Sequence, residues 1–490
     1  MLVLGLVTAC LVARPGAAAD ASAGALPRLV VPGELRVVSY YPADAGWTLM
    51  WDRWRPERIA ADLERLRGLN ANTVRIVVAT HFFGYPEPDP QRLRQLRAFV
   101  EIAARTGLHV QFTLFDWWYE YRQIAASKRW ARAVLEPYVG DPRVAFVELK
   151  NELDPTDTVA IAWAGDLLPW LRTLLRGQTP VTLSVGGVSP VSDLRALIGG
   201  LPARSRPDFF DVHYLTGEAE RAAHVFRALR QLAGRTPVWI GEVGYPSSTR
   251  FTGFAGVPLT HSAQEAVQAH YHRLCAAALA RLGLPLPGIW ALDDFVLGAI
   301  PQAGEAVPEQ EHHFGLFRTD GAAKPAAATV RRLFAGRAET GFNGGFEQAV
   351  RAEDGTAVPA VWGSVGGLRL VHDRGSARTG RASARVDGRH GARGTFLATP
   401  VLGDLVRAPF EASAWVRGEG ATVRLGLVWF AANGRTLGRR WTSIAAASRW
   451  RRATVRQRPP VGAAFARVEI HARELAGPVW LDDVAVVSLP

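Results

Sequence analysis

Cysteine is nearly missing from the 490-residue chain, which has two, Cys10 and Cys275. No disulfide framework can hold such a fold, and the small bridged scaffolds of secreted domains are excluded. Cys275 lies in an apolar helical stretch, RLCAAALARLG, and reads as a buried, inert thiol instead of a nucleophile. Lysine is as scarce: Lys128, Lys150 and Lys324 are the three in the chain, so arginine carries the net charge of +12. The arginines are scattered without the clustered runs of a phosphate-binding stripe, and nucleic acid is not an expected partner. No Gly-x-Gly-x-x-Gly turn follows any apolar run, which counts against a doubly wound open sheet. His312 and His313 are adjacent but lack a third ligand at metal-site spacing, so no metal is expected in the chemistry.

Long apolar runs are missing too. The first residues, MLVLGLVTACLVARPGAAADASA, form a run too short to span a bilayer, followed by small residues. Residues 1–26 therefore read as an export signal that ends in one of two ways. Either Ala-x-Ala cleavage occurs near Ala19, or Val7-Thr8-Ala9-Cys10 resembles a bacterial lipoprotein box with a lipid anchor on Cys10. The expected product is a monomer that is secreted or held at the cell surface of a bacterium.

The length is too great for one ordinary core and suits a barrel of roughly 300 residues plus a smaller module. From residue 34 to 336, short apolar runs alternate with longer amphipathic segments. Candidate strands are 35–40, 73–79, 109–115, 144–149, 181–186, 209–214, 238–243 and 288–294. Candidate helices are 56–69, 89–106, 124–138, 156–176, 193–198, 218–233, 262–282 and 326–335. Pro56 and Pro90 stand near helix starts, with Gly107, Gly234 and Gly283 near helix ends. Eight such units with almost continuously apolar strands predict an α/β fold, a parallel sheet closed into a (β/α)8 TIM barrel over residues 27–338. Beyond a Gly-rich boundary the pattern changes to short strands with Gly and Pro turns. Residues 339–490 are expected to form an all-β jelly-roll sandwich. In FEASAWVR, Phe410, Ala412, Ala414 and Val416 make the apolar face, which leaves Trp415 on the polar one as a candidate sugar platform.

Barrel enzymes build their sites on the loops that follow the strands. VAFVELKNE delivers Asn151 and Glu152 to the end of the fourth strand, and PVWIGEVGY delivers Glu242 to the end of the seventh. Glutamate is seldom buried without a role or a partner. Two strand-end carboxyls suit glycoside chemistry, in which one protonates the leaving oxygen and the other attacks the sugar carbon or activates water. Arg75 in NTVRIVV puts a guanidinium inside a strand, where burial demands a carboxylate partner. Glu148 reads as structural, and His213 as either a satisfied core residue or a site residue. The loops after the first three strands carry Tyr40, Tyr41, Trp47, His81, Phe82, Phe83, Tyr85, Asp116, Trp117, Trp118, Tyr119 and Tyr121. So many rings at one end predict flat platforms for sugar faces. Because two facing carboxylates repel, Glu242 beside Arg75 is expected to stay ionised while Glu152 holds a proton.

Residues 34–336 resemble a glycoside hydrolase of the large retaining clan built on (β/α)8 barrels, nearest to the family 5 cellulase-like enzymes. The matching pieces are NTVRIVV, VELKNELDP, VWIGEVGYPSS, GIWALDDF and FGLFRTDGAAKP. The resemblance implies Glu152 as acid/base, Glu242 as nucleophile, Asn151 on the sugar 2-hydroxyl, Arg75 supporting the nucleophile and Trp290 as a platform. His213, Tyr214, Trp117 and Tyr245 complete the expected substrate-binding set. Two departures stand out: FDWWYEY replaces a usual histidine after the third strand, and His213-Tyr214-Leu215 replaces the usual His-x-Tyr. GEVGYPSS is also similar to the nucleophile region of family 17 β-1,3-glucanases. The second domain resembles carbohydrate-binding sandwiches that open with NGGFE and close with LDDV, which implies a structural calcium with Glu347 and Asp483 as ligands. The expectation is a retaining β-glycosidase acting on a β-linked polysaccharide of glucan or mannan type without a catalytic cofactor. Its rivals are a transglycosylase that uses the same residues and a non-catalytic glycan-binding surface protein.

Overall fold

The structure, a computed structural model, describes residues 26–47, 49–187, 189–215, 219–248, 261–300, 308–336, 342–351, 356–400, 402, 408–431 and 433–489. The two export-signal endings, with Cys10, and the domain boundary near 339 lie outside the described residues.

Strands form where the apolar runs predict them: β1 (Val37–Ser39), β2 (Thr73–Val78), β3 (His109–Leu114), β4 (Val144–Glu148), β5 (Val181–Thr182), β6 (Ser184–Val185), β7 (Phe210–Leu215) and β8 (Val238–Gly244). The order is β1-β2-β3-β4-β5 and β6-β7-β8, parallel throughout, with β5 and β6 forming one run interrupted at Leu183. Ile289 closes the ring through parallel bridges to Val38 and Val243. The last run, expected as a strand over 288–294, is present only as single bridges, and its Trp290–Ala291 peptide is cis. Around the ring lie α1 (Pro56–Gly68), α2 (Pro90–Arg105), α3 (Ile124–Leu135), α4 (Thr158–Leu174), α5 (Pro190–Gly200), α6 (Ala222–Ala233), α7 (His261–Arg281) and α8 (Pro325–Phe334). Proline opens α1, α2, α5 and α8, where its missing N–H would have no partner in any case. Asp89 and Asp157 cap α2 and α4 by accepting backbone N–H groups of the first turn.

Alternation along the strands builds two layers. In β2, Val74, Ile76 and Val78 face the helices as part of the main core, and Arg75 and Val77 face inward. The floor of the barrel is apolar, packed by Leu35, Val37, Phe146, Phe209 and Trp239. Above it the interior becomes polar. Ser39, Arg75, Gln111, Thr113, Glu148, Thr182, Ser184, Asp211, His213 and Glu242 come from successive strands, none of them more than 4% exposed. Two bulges set this layer. Against β3, Ala145 is the extra residue of β4, and against β7, Gly241 is the extra residue of β8. Each shifts the inward set by one, so that Glu148 and Glu242 point into the barrel, with Glu242 directly opposite His213.

The second domain is an antiparallel sandwich of two five-stranded sheets. One contains Gly363–Gly366, Gly394–Ala398, Ala463–Arg473, Thr422–Ala431 and Thr436–Ala445; the other contains Arg369–Asp373, Ser383–Asp387, Val479–Ser488, Phe410–Gly418 and Arg451–Gln457. Phe410, Ala412, Ala414 and Val416 face its core as their alternation predicts. Trp415 lies on the other face, but the Arg378 guanidinium sits 3.7 Å over its ring, where a sugar would stack. Trp441 and Trp480 likewise carry Arg424 and Arg417. Glu347 accepts the backbone N–H groups of Arg381 and Ala382, and Asp483 accepts from Arg378 and Thr379. A calcium ion at either carboxylate would compete with these donors.

Candidate active site

Arg75 is the hub of the polar layer. Its Nε donates to Glu148 Oε2 at 3.0 Å and Thr113 Oγ1 at 2.9 Å, its Nη1 donates to Glu242 Oε1, and its Nη2 donates to Asn151 Oδ1 at 2.7 Å. One guanidinium therefore fixes the structural glutamate, the strand-end glutamate of β8 and the amide that follows β4. The planar fork of arginine can hold several acceptors in this way, whereas a lysine ammonium cannot match its geometry. Glu148 is further held by Thr113 Oγ1 at 2.6 Å and Gln111 Nε2 at 3.0 Å. Asn151 Nδ2 donates to Asp116 Oδ1 at 3.0 Å, which fixes the orientation of the amide.

Glu152 turns into the same space from a left-handed backbone with φ 46°. Its N–H donates to Ser184 Oγ at 2.8 Å, and its carboxylate lies over Gly186, where a Cβ would stand 2.0 Å from Oε1. His213 joins the two strand-end glutamates. Its Nδ1 is 3.0 Å from Glu152 Oε1 and 3.6 Å from Glu242 Oε2. The nearest oxygens of the two carboxylates can thus be no further apart than those two lengths laid end to end. Glu152 keeps 41% of its side chain exposed, against 5% for Glu242.

The charge balance differs from the expectation that Glu242 is the ionised partner and Glu152 the protonated one. Burial pushes the Glu242 carboxyl up, and His213 and Arg75 only partly offset it. Burial acts on Glu152 in the same direction, but the bond and charge of His213 outweigh it and hold this carboxyl below the usual range. Arg75 is divided between two carboxylates, so it cannot serve Glu242 alone. Burial opposes a charged His213, but Glu242, Glu152 and Asp211 together raise its pKa to about 9. Asp211 lies beneath it with Oδ1 4.0 Å from Nε2, and burial pushes this carboxyl well above its ordinary range.

The mouth is aromatic. Trp47 stacks on Tyr41 at 5.5 Å between ring centroids and meets Trp290 at 5.5 Å and Trp117 at 6.0 Å. Trp47, Phe115 and Trp117 share the left-handed conformation of Glu152, with φ of 44°, 41° and 48°. Such backbone conformations, uncommon for large residues, gather at binding and catalytic sites. The cleft brings together Arg75, Asn151, Glu152, Glu242, Trp117 and Trp290 of the expected set, with His213 beneath. It does not bring in Tyr214 or Tyr245. Both are buried against Tyr271 on the helix side, because each follows by one residue an inward position of its strand or of the strand's extension. Leu215 lines the cleft instead. Asp211 and Glu311 were not singled out from sequence. Asp211 sits inside an apolar run, where a lone carboxylate two residues before His213 was a signal, and Glu311 lies in the short 3-10 helix Glu309–His313, far in sequence from any predicted strand end.

The sequence matches no family model and no curated protein. Among solved structures, the chain is similar over 62% of its length to GH5_18 from Bifidobacterium longum subsp. longum, with 79% of that chain covered, 19% identity and a TM-score of 0.49. GH5_18 from Streptomyces cattleya, solved in complex with GlcNAc, aligns over 62% of this chain and 80% of its own, with 19% identity and a TM-score of 0.48. An exo-beta-1,4-mannosidase from Opitutaceae bacterium strain TAV5 aligns over 62% of this chain and 59% of its own, with 18% identity and a TM-score of 0.49.

Proposed function

We propose that the chain is a retaining β-glycosidase that hydrolyses a β-linked polysaccharide of glucan or mannan type by double displacement. One observation carries this reading: two strand-end glutamates share the Nδ1 atom of His213 at 3.0 and 3.6 Å in a tryptophan-rimmed cleft. Inverting enzymes need roughly 6.5–9.5 Å between carboxyls to seat a water, and retaining ones about 5–5.5 Å. The shared nitrogen, at 3.0 and 3.6 Å from the nearest oxygens, limits their separation to a length that just reaches the bottom of the inverting range, and any bend at that nitrogen brings them nearer to the retaining spacing.

In the first step, a Glu242 oxygen attacks the anomeric carbon as the bond to the leaving oxygen breaks, and Glu152 gives that oxygen its proton. In the second, Glu152 takes a proton from water, the water oxygen attacks the same carbon, and the ester to Glu242 breaks. The greater exposure of Glu152 suits the group that must meet both leaving group and water, and the buried, arginine-held Glu242 suits the nucleophile. Asn151, fixed by Arg75 and Asp116, is placed to hold a sugar hydroxyl, with Trp117 and Trp290 as platforms. The sandwich is proposed to bind the same kind of polysaccharide, and the protein to act outside the cell.

Glucans, mannans and xylans incubated with the full-length protein should yield sugars whose first-formed anomer is β by proton NMR. Glu242→Gln should be inactive. Glu152→Ala should retain turnover of an activated aryl β-glycoside and form a β-glycosyl azide when azide is added. First-formed α-anomer, or a β-azide product from Glu242→Ala instead, would overturn the mechanism or the roles.

A further inference from the structure

A third carboxyl faces the cleft without a task in the reaction above. Glu311 lines it together with Trp290, Ile300 and Pro308. It belongs to the short 3-10 helix Glu309–His313, in which Glu309 pairs with His313 Nε2 at 2.8 Å and accepts from Ser248, and His312 is buried. The backbone at Glu311 is pinned on both sides, with Glu311 N donating to Pro308 O at 2.9 Å, His312 O accepting from Phe295 N at 3.1 Å and His313 O from Ser247 N at 3.0 Å. Among the described residues, no hydrogen bond or ion pair reaches the Glu311 side chain. The cation of the cleft, Arg75, is already divided among Glu148, Glu242 and Asn151. Burial together with the charges of Glu242 and Glu152 pushes Glu311 up to about 7. A carboxyl held rigidly in a half-buried wall and lacking a donor is poised to accept one from a ligand, since acceptors withdrawn from water are costly to leave unmatched.

We propose that Glu311 is a specificity-determining residue of the cleft, accepting hydrogen bonds from a donor group of the sugar beside the scissile bond. This rests on the glycosidase reading and adds the chemistry that selects the sugar. The donor is a hydroxyl pair of a neutral sugar or the ammonium of an amino sugar, and a uronate at that position would be repelled.

The probes are β-1,4-linked oligosaccharides of mannose, glucose and glucosamine, assayed with the full-length wild type, Glu311→Gln and Glu311→Ala. For a hydroxyl donor, Glu311→Ala should lower kcat/KM on the best neutral oligosaccharide roughly tenfold or more, chiefly through KM, and Glu311→Gln should lose less because its amide oxygen still accepts. For an ammonium, both variants should lose about tenfold or more on the glucosamine oligosaccharide alone. Unchanged kcat/KM for Glu311→Ala, or a fall in kcat with KM constant, overturns the inference and leaves the glycosidase reading standing. Should the wild type hydrolyse none of the three, that reading fails, and calorimetric titration of the same oligosaccharides decides Glu311 on binding alone. Equal Kd for wild type and Glu311→Ala, or binding to neither, then overturns it.

Discussion

Replacing Arg75 by methionine would keep most of the side-chain volume and delete the cation on which the polar layer depends. Glu148 is 0% exposed and Glu242 is 5% exposed at the side chain, so Glu148 would be left buried without its main counterion and Glu242 with His213 in place of two cations. Breaking a buried pair by removing one partner costs about 3–5 kcal/mol, a large share of the roughly 5–15 kcal/mol that holds a domain folded. The loss should depend on pH with a definite sign. Arg75 and His213 overcome burial and hold Glu148 below its ordinary value of 4.5. Its contribution is therefore complete above that value and disappears as pH falls through the lowered folded-state pKa. The gap between wild type and Arg75→Met should accordingly shrink in acid, where the carboxylates of both proteins become neutral. Every helix among the described residues of ten or more residues lies in the barrel, so far-ultraviolet circular dichroism during urea unfolding reports on the barrel and not the sandwich. The double variant Arg75→Met/Glu148→Gln should lose less than the sum of its two single changes, because the second removes a charge that the first left stranded. A single-variant loss below about 1 kcal/mol, or strict additivity in the cycle, would refute this account of the layer.

Gly241→Ala should destabilise the barrel by about 1–3 kcal/mol, since its Cβ would stand 2.0 Å from Asp211 Oδ1, and adding Asp211→Ala should recover part of the loss in the same unfolding assay. His213, raised from an ordinary 6.5 to about 9, should contribute stability that is complete below about 6.5 and is lost as pH rises through about 9. The full effect is about 3 kcal/mol. Unfolding measured across that interval should show it in the wild type and not in His213→Asn, and parallel curves for the two would count against a protonated imidazole.

The shell of the barrel was legible because it depends on apolar periodicity. Val74, Ile76 and Val78 announce a buried strand face, and the matching helices carry their own prolines and capping aspartates. The closing run was harder to read. GIWALDDF has a strand's composition, but it joins its neighbours at Ile289 by single bridges, so composition alone could not reveal how little of it pairs. The site was legible as far as it lies at strand ends, which is why Glu152 and Glu242 stood out. What alternation could not supply was its phase. Ala145 and Gly241 each add one residue to a strand, and after each the inward set moves by one. Tyr245 lies beyond the second of these bulges, whereas Tyr214 stands next to the inward His213 on a strand with no extra residue, and both were expected from the resemblance and not from alternation. Glu311 carried no periodic signal, because its position depends on loop anchors at Phe295 and Ser247.

The location of the site's mobile proton follows from the number of charges the layer must balance. Arg75 brings one permanent positive charge among Glu148, Glu242, Glu152 and Asp211, so the layer must bind protons. Asp211, wholly enclosed and with no hydrogen bond to either oxygen among the described residues, is the carboxyl that burial raises furthest, and it stays neutral to the highest pH. His213, set between the Glu152 and Glu242 carboxylates, takes the next proton, which lies closer to Glu152 than to Glu242. Under the proposed reaction this places the acid's proton one hydrogen bond away from the acid. A sugar covering the exposed edge of Glu152 removes the water that helps keep it ionised and raises its affinity for the proton that His213 holds at 3.0 Å. Once Glu242 becomes an ester, its charge is gone, and with it the largest of the influences that keep His213 protonated. The imidazole then competes less well for a proton, so the one Glu152 takes from the attacking water can stay on Glu152 until Glu242 is released as a carboxylate. A single histidine between unequal carboxylates thus lets Glu152 alternate between acid and base without a further titrating group in the cleft.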